Sequence, residues 1–546
     1  EHSLKNLSQV AEVPYATLRQ EVLAKRNTGR FKPVMLLKDT GRKVADLVDA
    51  YQEDLPGISV TVEAKRLYPN AELASHVLGY VGVINEDQLE SLSTRQLYSA
   101  RVVGQAGIER VANRSLIGVD GGKQVEVDHL GRELRDLSKQ VDPIPGHDVY
   151  LTIDLRLQRK VHQLLGNYHG AVIVMKPHTG EVLSLVSLPD FDPNSFVGGI
   201  SQDEWTRLTQ GEFKPLVDKA VQGLYPPGST FKMLVAAAAL DSGAIDDKTV
   251  FHCPGYYRIG RDVRYCWKHS GHGDMTVRQA IEQSCDVFFY NVGLLLGPDK
   301  IRDYGAEFGF TQATGVELED EKSGLLPTRA WKQRMFKDKW YDGETLPVSI
   351  GQGYVSVTPL QLLNYVNVIA NRGVWVQPTI VEKIVDANGQ VTESPKDLPR
   401  ASRLLPIAPQ VFDTLVQGMV DVVNSGRGTG GAARSRFFTV AGKTGTSQVV
   451  SRKTGKPLTT EDQKDLQPHS LFVGFAPAED PQVSVLVLVE HGQHGGSTAA
   501  PIARQILEFY SENVEPLDKP VPSNKSGPGD QFRDRLQQAF GPDRAE

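Results

Sequence analysis

An α+β protein is the fold this sequence predicts: an antiparallel sheet flanked by helices, plus a large helical subdomain, behind an elongated N-terminal pedestal. Three observations carry that expectation. The chain has 546 residues, too many for one compact core. Two strand–turn–strand patterns, Gly170–Lys176 with Glu181–Leu188 and Leu471–Ala476 with Val483–Glu490, read as β-hairpins far apart in sequence. Between them lie helical stretches such as Met233–Leu240, apolar on all sides and therefore suited to a core.

Taken in order, residues 1–100, within a front module of 1–145, mix short amphipathic helices, Ala16–Lys25 and Gly41–Tyr51, with short strands such as Ile58–Glu63. Val125–Leu137 reads as extended or turn-rich connecting structure. No catalytic constellation falls here, and the segment reads as a pedestal. The cluster Val141-Asp-Pro-Ile-Pro-Gly146 marks a boundary. Beyond it, Val149–Ile153 is a strand and Asp154 caps a helix that opens Asp154–Gln158. A helix from Pro501 to Ser511 closes a domain spanning 146–515. In the tail, 516–546, Lys519–Gly529 has almost no apolar residue and is expected to be disordered, while Asp530–Phe540 forms a frayed helix.

Composition narrows the function. A hydrophobic content of 40% and a charged content of 23% are those of a globular protein. The net charge of −6 offers no basic excess to neutralise phosphates, which argues against nucleic acid. The longest apolar runs, Met233–Leu240 and Val483–Val489, are far too short to span a bilayer. With neither an initiator methionine nor a signal-peptide pattern, the chain is expected to be a processed or truncated form.

The chemistry is concentrated in three short motifs. Ser229-Thr-Phe-Lys232 follows Tyr225-Pro-Pro-Gly228 and runs into the apolar stretch. Residues three apart share a helix face, so the Lys232 amine is placed to reach the Ser229 hydroxyl as its base. Apolar burial and a second cation, Lys443, would keep Lys232 neutral part of the time. Ser284-Cys285-Asp286 supplies a hydroxyl able both to give and to accept a proton, with Asp286 orienting the lysines or the substrate backbone. Lysine-threonine-glycine occurs twice, at Lys443 and at Lys453. The first follows the strand-like run Phe437–Ala441 and the second sits in a polar turn, so Lys443, Thr444, Gly445 and Thr446 are taken as the edge that holds a substrate carboxylate. Each motif alone also fits a solvated lysine, a chance serine or an ordinary turn; their order along the chain is the signal.

That ordered set resembles the motifs of serine penicillin-recognising enzymes. From about residue 60 to residue 510 the chain resembles the class B penicillin-binding proteins, and Gly104-Gln-Ala-Gly-Ile-Glu109 resembles a glycine–glutamate motif of their front modules. The aspartate at 286, where the family usually has asparagine, is similar to the elongation enzymes of that class. The resemblance implies a D,D-transpeptidase that cross-links peptidoglycan stem peptides ending in D-Ala-D-Ala and is acylated at Ser229 by β-lactams. It implies an oxyanion hole from the amides of Ser229 and Thr446, and cleft loops at Gly428–Gly430 and Ser349–Gly353. It further implies a SEDS glycosyltransferase and elongation-complex proteins as partners, no organic cofactor, and a place on the periplasmic face of the bacterial inner membrane through a single-pass anchor upstream of Glu1. The competing readings are a D,D-carboxypeptidase or β-lactamase-like hydrolase, and a non-catalytic β-lactam-binding scaffold.

All three cysteines, Cys253, Cys266 and Cys285, lie in one window that also holds His272. A Cys3His set satisfies a structural Zn²⁺. A Cys253–Cys266 disulfide with Cys285 buried, or three free thiols, are the alternatives, and His269 competes with His272 as fourth ligand.

Overall fold

The computed structural model describes residues 1–24, 34–61, 65–84, 102–119, 121–127, 133–211, 213–393, 401–448 and 467–517. The chain divides into two compact units. The described residues of one fall within Glu1–Leu67 and Gly118–Pro145; those of the other fall within Tyr68–Ser91, Ala100–Ile117 and Gly146–Glu546.

In the first unit, helices His2–Val10, Tyr15–Ala24 and Gly41–Ala50 each bring one leucine or valine to a small core of Leu7, Leu18, Val48 and Leu55. Residues 58–61 form no strand, and the rest of the expected Ile58–Glu63 strand lies outside the described residues. Ile58 is instead spent on that helical core, and its amide closes a turn onto the Leu55 carbonyl (3.0 Å). The expected connecting stretch is an antiparallel ribbon, Gly122–Val127 against Glu133–Val141, with two register shifts.

The second unit opens on α1 (Leu155–Leu165). The Asp154 carboxylate accepts from the amides of Arg156 (2.9 Å) and Leu157 (3.1 Å), satisfying two otherwise orphaned donors. Strands β1 (Gly170–Met175) and β2 (Val182–Leu188) form the first hairpin; its turn needs the left-handed Gly180 (φ 72°), where a Cβ would meet the Gln377 carbonyl at 2.3 Å. Next come α2 (Lys232–Asp241), α3 (Asp286–Glu307, bent at Gly297–Pro298), α4 (Pro359–Ala370) and α5 (Pro409–Asn424). Strands β3 (Ala441–Ser447), β4 (His469–Ala476) and β5 (Val483–Val489) precede α6 (Ala499–Asn513).

The sheet is antiparallel throughout, in the order β3-β4-β5-β1-β2, so the two hairpins meet as β5 pairs with β1. Every residue of β1, β2 and β5 is buried, which requires cover on both faces. Helices α1, α4 and α6 supply it. Helix α2 is buried from Lys232 through Ala239 and is enclosed by α3 and α5, forming the core of the helical region. The edge strand β3 therefore borders the helical region, and that seam carries the three motifs. Among the described residues, no helix is long and apolar enough to cross a membrane.

Candidate active site

Ser229 sits in a single 3₁₀ turn, Gly228–Phe231, and the α-helix begins only at Lys232. The turn is held on both sides. Tyr225 exchanges backbone bonds with Val357 (2.9 and 3.0 Å), and the Gly228 amide donates to the Gly351 carbonyl (2.9 Å). Gly228 is left-handed (φ 55°), and a Cβ there would lie 2.6 Å from the Thr446 carbonyl, so only glycine lets the turn approach β3. The loop Ser349–Gly353 is thus packed under the nucleophile, as the sequence suggested.

The expected contact between Lys232 and Ser229 is not the one made. Lys232 Nζ, fully buried, donates to Asp286 Oδ1 (2.7 Å), the Ser284 carbonyl (2.8 Å) and Ser284 Oγ (3.1 Å). A buried ammonium needs a counter-ion more than it needs a neighbouring hydroxyl. Ser229 Oγ is half-buried and has no side-chain hydrogen bond among the described residues.

Lys443, on β3 and also fully buried, reaches the same serine from the other side: its Nζ donates to Ser284 Oγ (3.0 Å) and to the Thr444 carbonyl (3.1 Å). Two lysines thus share one hydroxyl, and the Asp286 carboxylate pairs with Lys232. Burial, and then the Lys232 ammonium, push the Lys443 pKa well below the usual lysine range. Ser284 is itself left-handed (φ 55°), an uncommon state for a serine. Thr444 is buried with its hydroxyl 2.8 Å from Thr429 Oγ1, which brings the Gly428–Gly430 loop to the cleft; Thr446, two residues along the same strand face, is half-exposed. Gly445 keeps β3 against the turn, since a Cβ would come within 2.9 Å of Leu471 Cβ and Thr230 Cγ2. The second lysine-threonine-glycine, at Lys453, lies outside the described residues.

Two groups were missed from sequence. The Trp267 amide donates to Asp286 Oδ2 (3.0 Å), and its indole N–H lies 3.1 Å from the carbonyls of both Gln283 and Ser284. It pins the left-handed serine, and no local pattern in the sequence marked it for that role. Glu490, just past β5, accepts from Tyr225 Oη (2.7 Å) and from the Lys219 ammonium, anchoring the segment that leads to Ser229. Those partners lie 265 and 271 residues away, beyond any local pattern.

Cys253, Cys266, His272 and Cys285 bring one ligand atom each into a group in which all four lie within 4.8 Å of one another. The three thiols are free and buried, so the disulfide alternative is not formed. His272, rather than His269, completes the group, with Nδ1 3.5 Å from both Cys253 Sγ and Cys266 Sγ. Cys285 is the N-cap of α3, directly between Ser284 and Asp286.

Two sequence families match this chain: the penicillin binding protein transpeptidase domain over residues 170–508 and the penicillin-binding protein dimerisation domain over residues 1–151. The peptidoglycan D,D-transpeptidase MrdA of Acinetobacter baumannii is 38% identical over 458 residues, 83% of this chain and 67% of the relative. Among solved structures, Pseudomonas aeruginosa PBP2 in complex with WCK 5153 matches with a TM-score of 0.71 at 35% identity, covering 85% of this chain and 94% of that one. The complex between PBP2 and MreC from Helicobacter pylori matches with a TM-score of 0.78 at 31% identity, covering 91% and 92%.

Proposed function

The chain belongs to the penicillin-binding protein transpeptidases, and on that premise we propose that it forms its acyl-enzyme at Ser229 under the control of two lysines that share Ser284. It is a serine D,D-transpeptidase of peptidoglycan, acting in cell elongation on stem peptides that end in D-Ala-D-Ala. The observation that carries the residue roles is the placement of Lys232 and Lys443 at 3.1 and 3.0 Å from one hydroxyl, beneath the turn that presents the nucleophile.

Asp286 balances one positive charge, and Lys232 is the amine it touches. Burial and the Lys232 ammonium hold Lys443 well below the usual lysine range, so it gives up its proton readily. A substrate carboxylate held by Lys443, Thr444 and Thr446 restores favourable charge there. The proton then passes from Lys232 to Ser284 and from Ser284 to Lys443, leaving a neutral Lys232 to take the Ser229 proton as the serine attacks the penultimate D-Ala carbonyl. The amides of Ser229 and Thr446, on backbones brought together at Gly228, receive the oxyanion, at roughly 3–4 kcal/mol per donor. Terminal D-Ala leaves with a returned proton, and an amine from a neighbouring stem resolves the acyl-enzyme. A donor stem peptide mixed with an amine acceptor tests this: cross-linked dimer and free D-Ala are expected, whereas hydrolysed donor alone would favour the carboxypeptidase reading.

The Cys3His group suits Zn²⁺. A tetrahedral site with the usual bond lengths separates nitrogen from sulfur by about 3.6 Å, close to the 3.5 Å found twice here. Bound there, zinc would be structural, with four protein ligands and no position left for water. The described part of residues 1–145 serves as a pedestal and that of 146–515 as the catalytic domain; the expected tail, with its disordered Lys519–Gly529 and frayed helix Asp530–Phe540, lies outside the described residues from 518 onward. Partners of the elongation complex, including an MreC-type protein and a SEDS glycosyltransferase, engage the pedestal, and an anchor holds the enzyme at the periplasmic face of the inner membrane.

Lys443 also predicts a pH dependence. Its native pKa is depressed while the unfolded chain keeps a value near 10.5, so between those values the unfolded state binds more protons. Stability therefore rises with pH across that window, by up to about 1.4 kcal/mol per pH unit. Denaturant unfolding at several pH values should show a shallower slope for Lys443→Met than for the wild type.

A further inference from the structure

Away from the cleft, the larger unit carries a partly open cavity of about 40 Å³ lined in part by Ser75, His76, Tyr80, Asp218, Leu318 and Glu319. Three polar atoms on its walls have no hydrogen-bond partner: Ser75 Oγ, Asp218 Oδ2 and Glu319 Oε2. Ser75 is 1% exposed and Asp218 is 5% exposed. The companion oxygens are already used, Asp218 Oδ1 by the Ala220 amide (2.8 Å) and Glu319 Oε1 by the Gly107 amide (2.6 Å). His76 Nε2 is likewise engaged, 2.7 Å from the Pro215 carbonyl. Burying a carboxylate oxygen without a partner is costly, and three orphaned oxygens on one small cavity mark the place of a guest.

The walls define the guest. All three free atoms are oxygens, two belong to carboxylates, and neither sulfur nor a lysine or arginine lines the space. That chemistry rejects anions and soft metals and suits a hard cation. The volume admits one ion with one or two waters. We propose that this cavity is a binding site for a hard divalent cation of the calcium class, held by Asp218, Glu319 and Ser75, with water or backbone carbonyls completing its oxygen shell.

The ion would join three chain segments: the short helix Ser75–Leu78, the Glu319 segment that holds Gly107, and the run from Asp218 to Ser229. The last of these is already fastened at Lys219 and Tyr225 by Glu490. Occupancy therefore stiffens the root of the nucleophile turn without touching the reacting atoms.

Terbium, a luminescent stand-in for calcium, provides the probe, because Tyr80 on the cavity wall can sensitise it. The intact, desalted chain is expected to give saturable terbium emission that calcium displaces, with a calcium Kd on the order of 10⁻⁴–10⁻³ M, and a calcium-dependent rise in melting temperature. Asp218→Asn and Glu319→Gln should each weaken binding by at least about tenfold, as loss of a charged ligand does. Tyr80→Phe should dim the emission and keep the calcium shift in melting temperature. Absence of saturable emission and of any melting shift up to about 10 mM calcium would overturn the proposal, leaving a cavity of water and protonated carboxyls. Binding undiminished in both carboxylate variants would overturn it as well, by placing the ion elsewhere. Should Asp218→Asn fail to fold, Glu319→Gln, whose side chain is only half-buried, carries the test alone.

Discussion

Ser229→Ala protein will gain no mass from penicillin, while the wild type gains one covalently bound β-lactam per chain. The expected loss in acylation rate is on the order of 10⁶-fold, the scale at which an enzyme is left with binding and oxyanion stabilisation but no nucleophile. The position makes this a clean experiment. Ser229 Oγ is half-buried, has no side-chain hydrogen bond among the described residues, and sits in a turn fixed by the backbone contacts of Tyr225 and Gly228. Its removal orphans no partner, so stability should stay within about 0.5 kcal/mol of the wild type. Intact-mass measurement and a melting curve on one preparation therefore separate chemistry from folding. An adduct that persists in the alanine protein would place the nucleophile elsewhere. A β-lactam lost from the wild type within minutes would turn the reading toward a β-lactamase-like hydrolase.

The variant also isolates what the sequence could reveal. Both hairpins were readable because continuous apolar runs flank a turn ending in Gly180 or carrying prolines, and the cap at Asp154 was readable because its bonds reach only two and three residues ahead. The choice of Lys443 was argued from a strand thought to precede it. In fact Phe437 is 62% exposed and the strand begins at Ala441, so the lysine motif is itself the strand. The i,i+3 spacing of Ser229 and Lys232 suggested a direct contact, but spacing says nothing about competing partners. Asp286, 54 residues on, takes the ammonium because burial leaves a cation little choice. Trp267 and Glu490 were invisible for the same reason: each acts across a tertiary contact, on groups that no local period connects.

Cys285→Ser is the second large effect, and it falls on stability and rate together. The thiol belongs to a four-atom group no wider than 4.8 Å, and its own residue caps α3 with its amide bonded to the Ala280 carbonyl (3.0 Å). Serine preserves the shape and hydrogen-bonding capacity of the cap but replaces a soft sulfur ligand with a hydroxyl that zinc binds poorly. With zinc bound as proposed, a hundredfold loss of affinity at constant, near-saturating free zinc removes about 2.7 kcal/mol of stability, enough to lower the melting temperature by several degrees. The rate must fall as well, because Cys285 stands between the two residues that Lys232 holds. If its loop relaxes, Ser284 leaves its left-handed state, and the 3.0 and 3.1 Å contacts that join the two lysines lengthen. Chelator should then slow acylation of the wild type by penicillin and lower its melting temperature, and do neither to the serine variant. A serine variant that melts and acylates like the wild type, from a wild-type preparation holding less than about a tenth of an equivalent of zinc, would detach the cysteine group from catalysis and leave the Ser284 geometry to Trp267 and Lys232 alone.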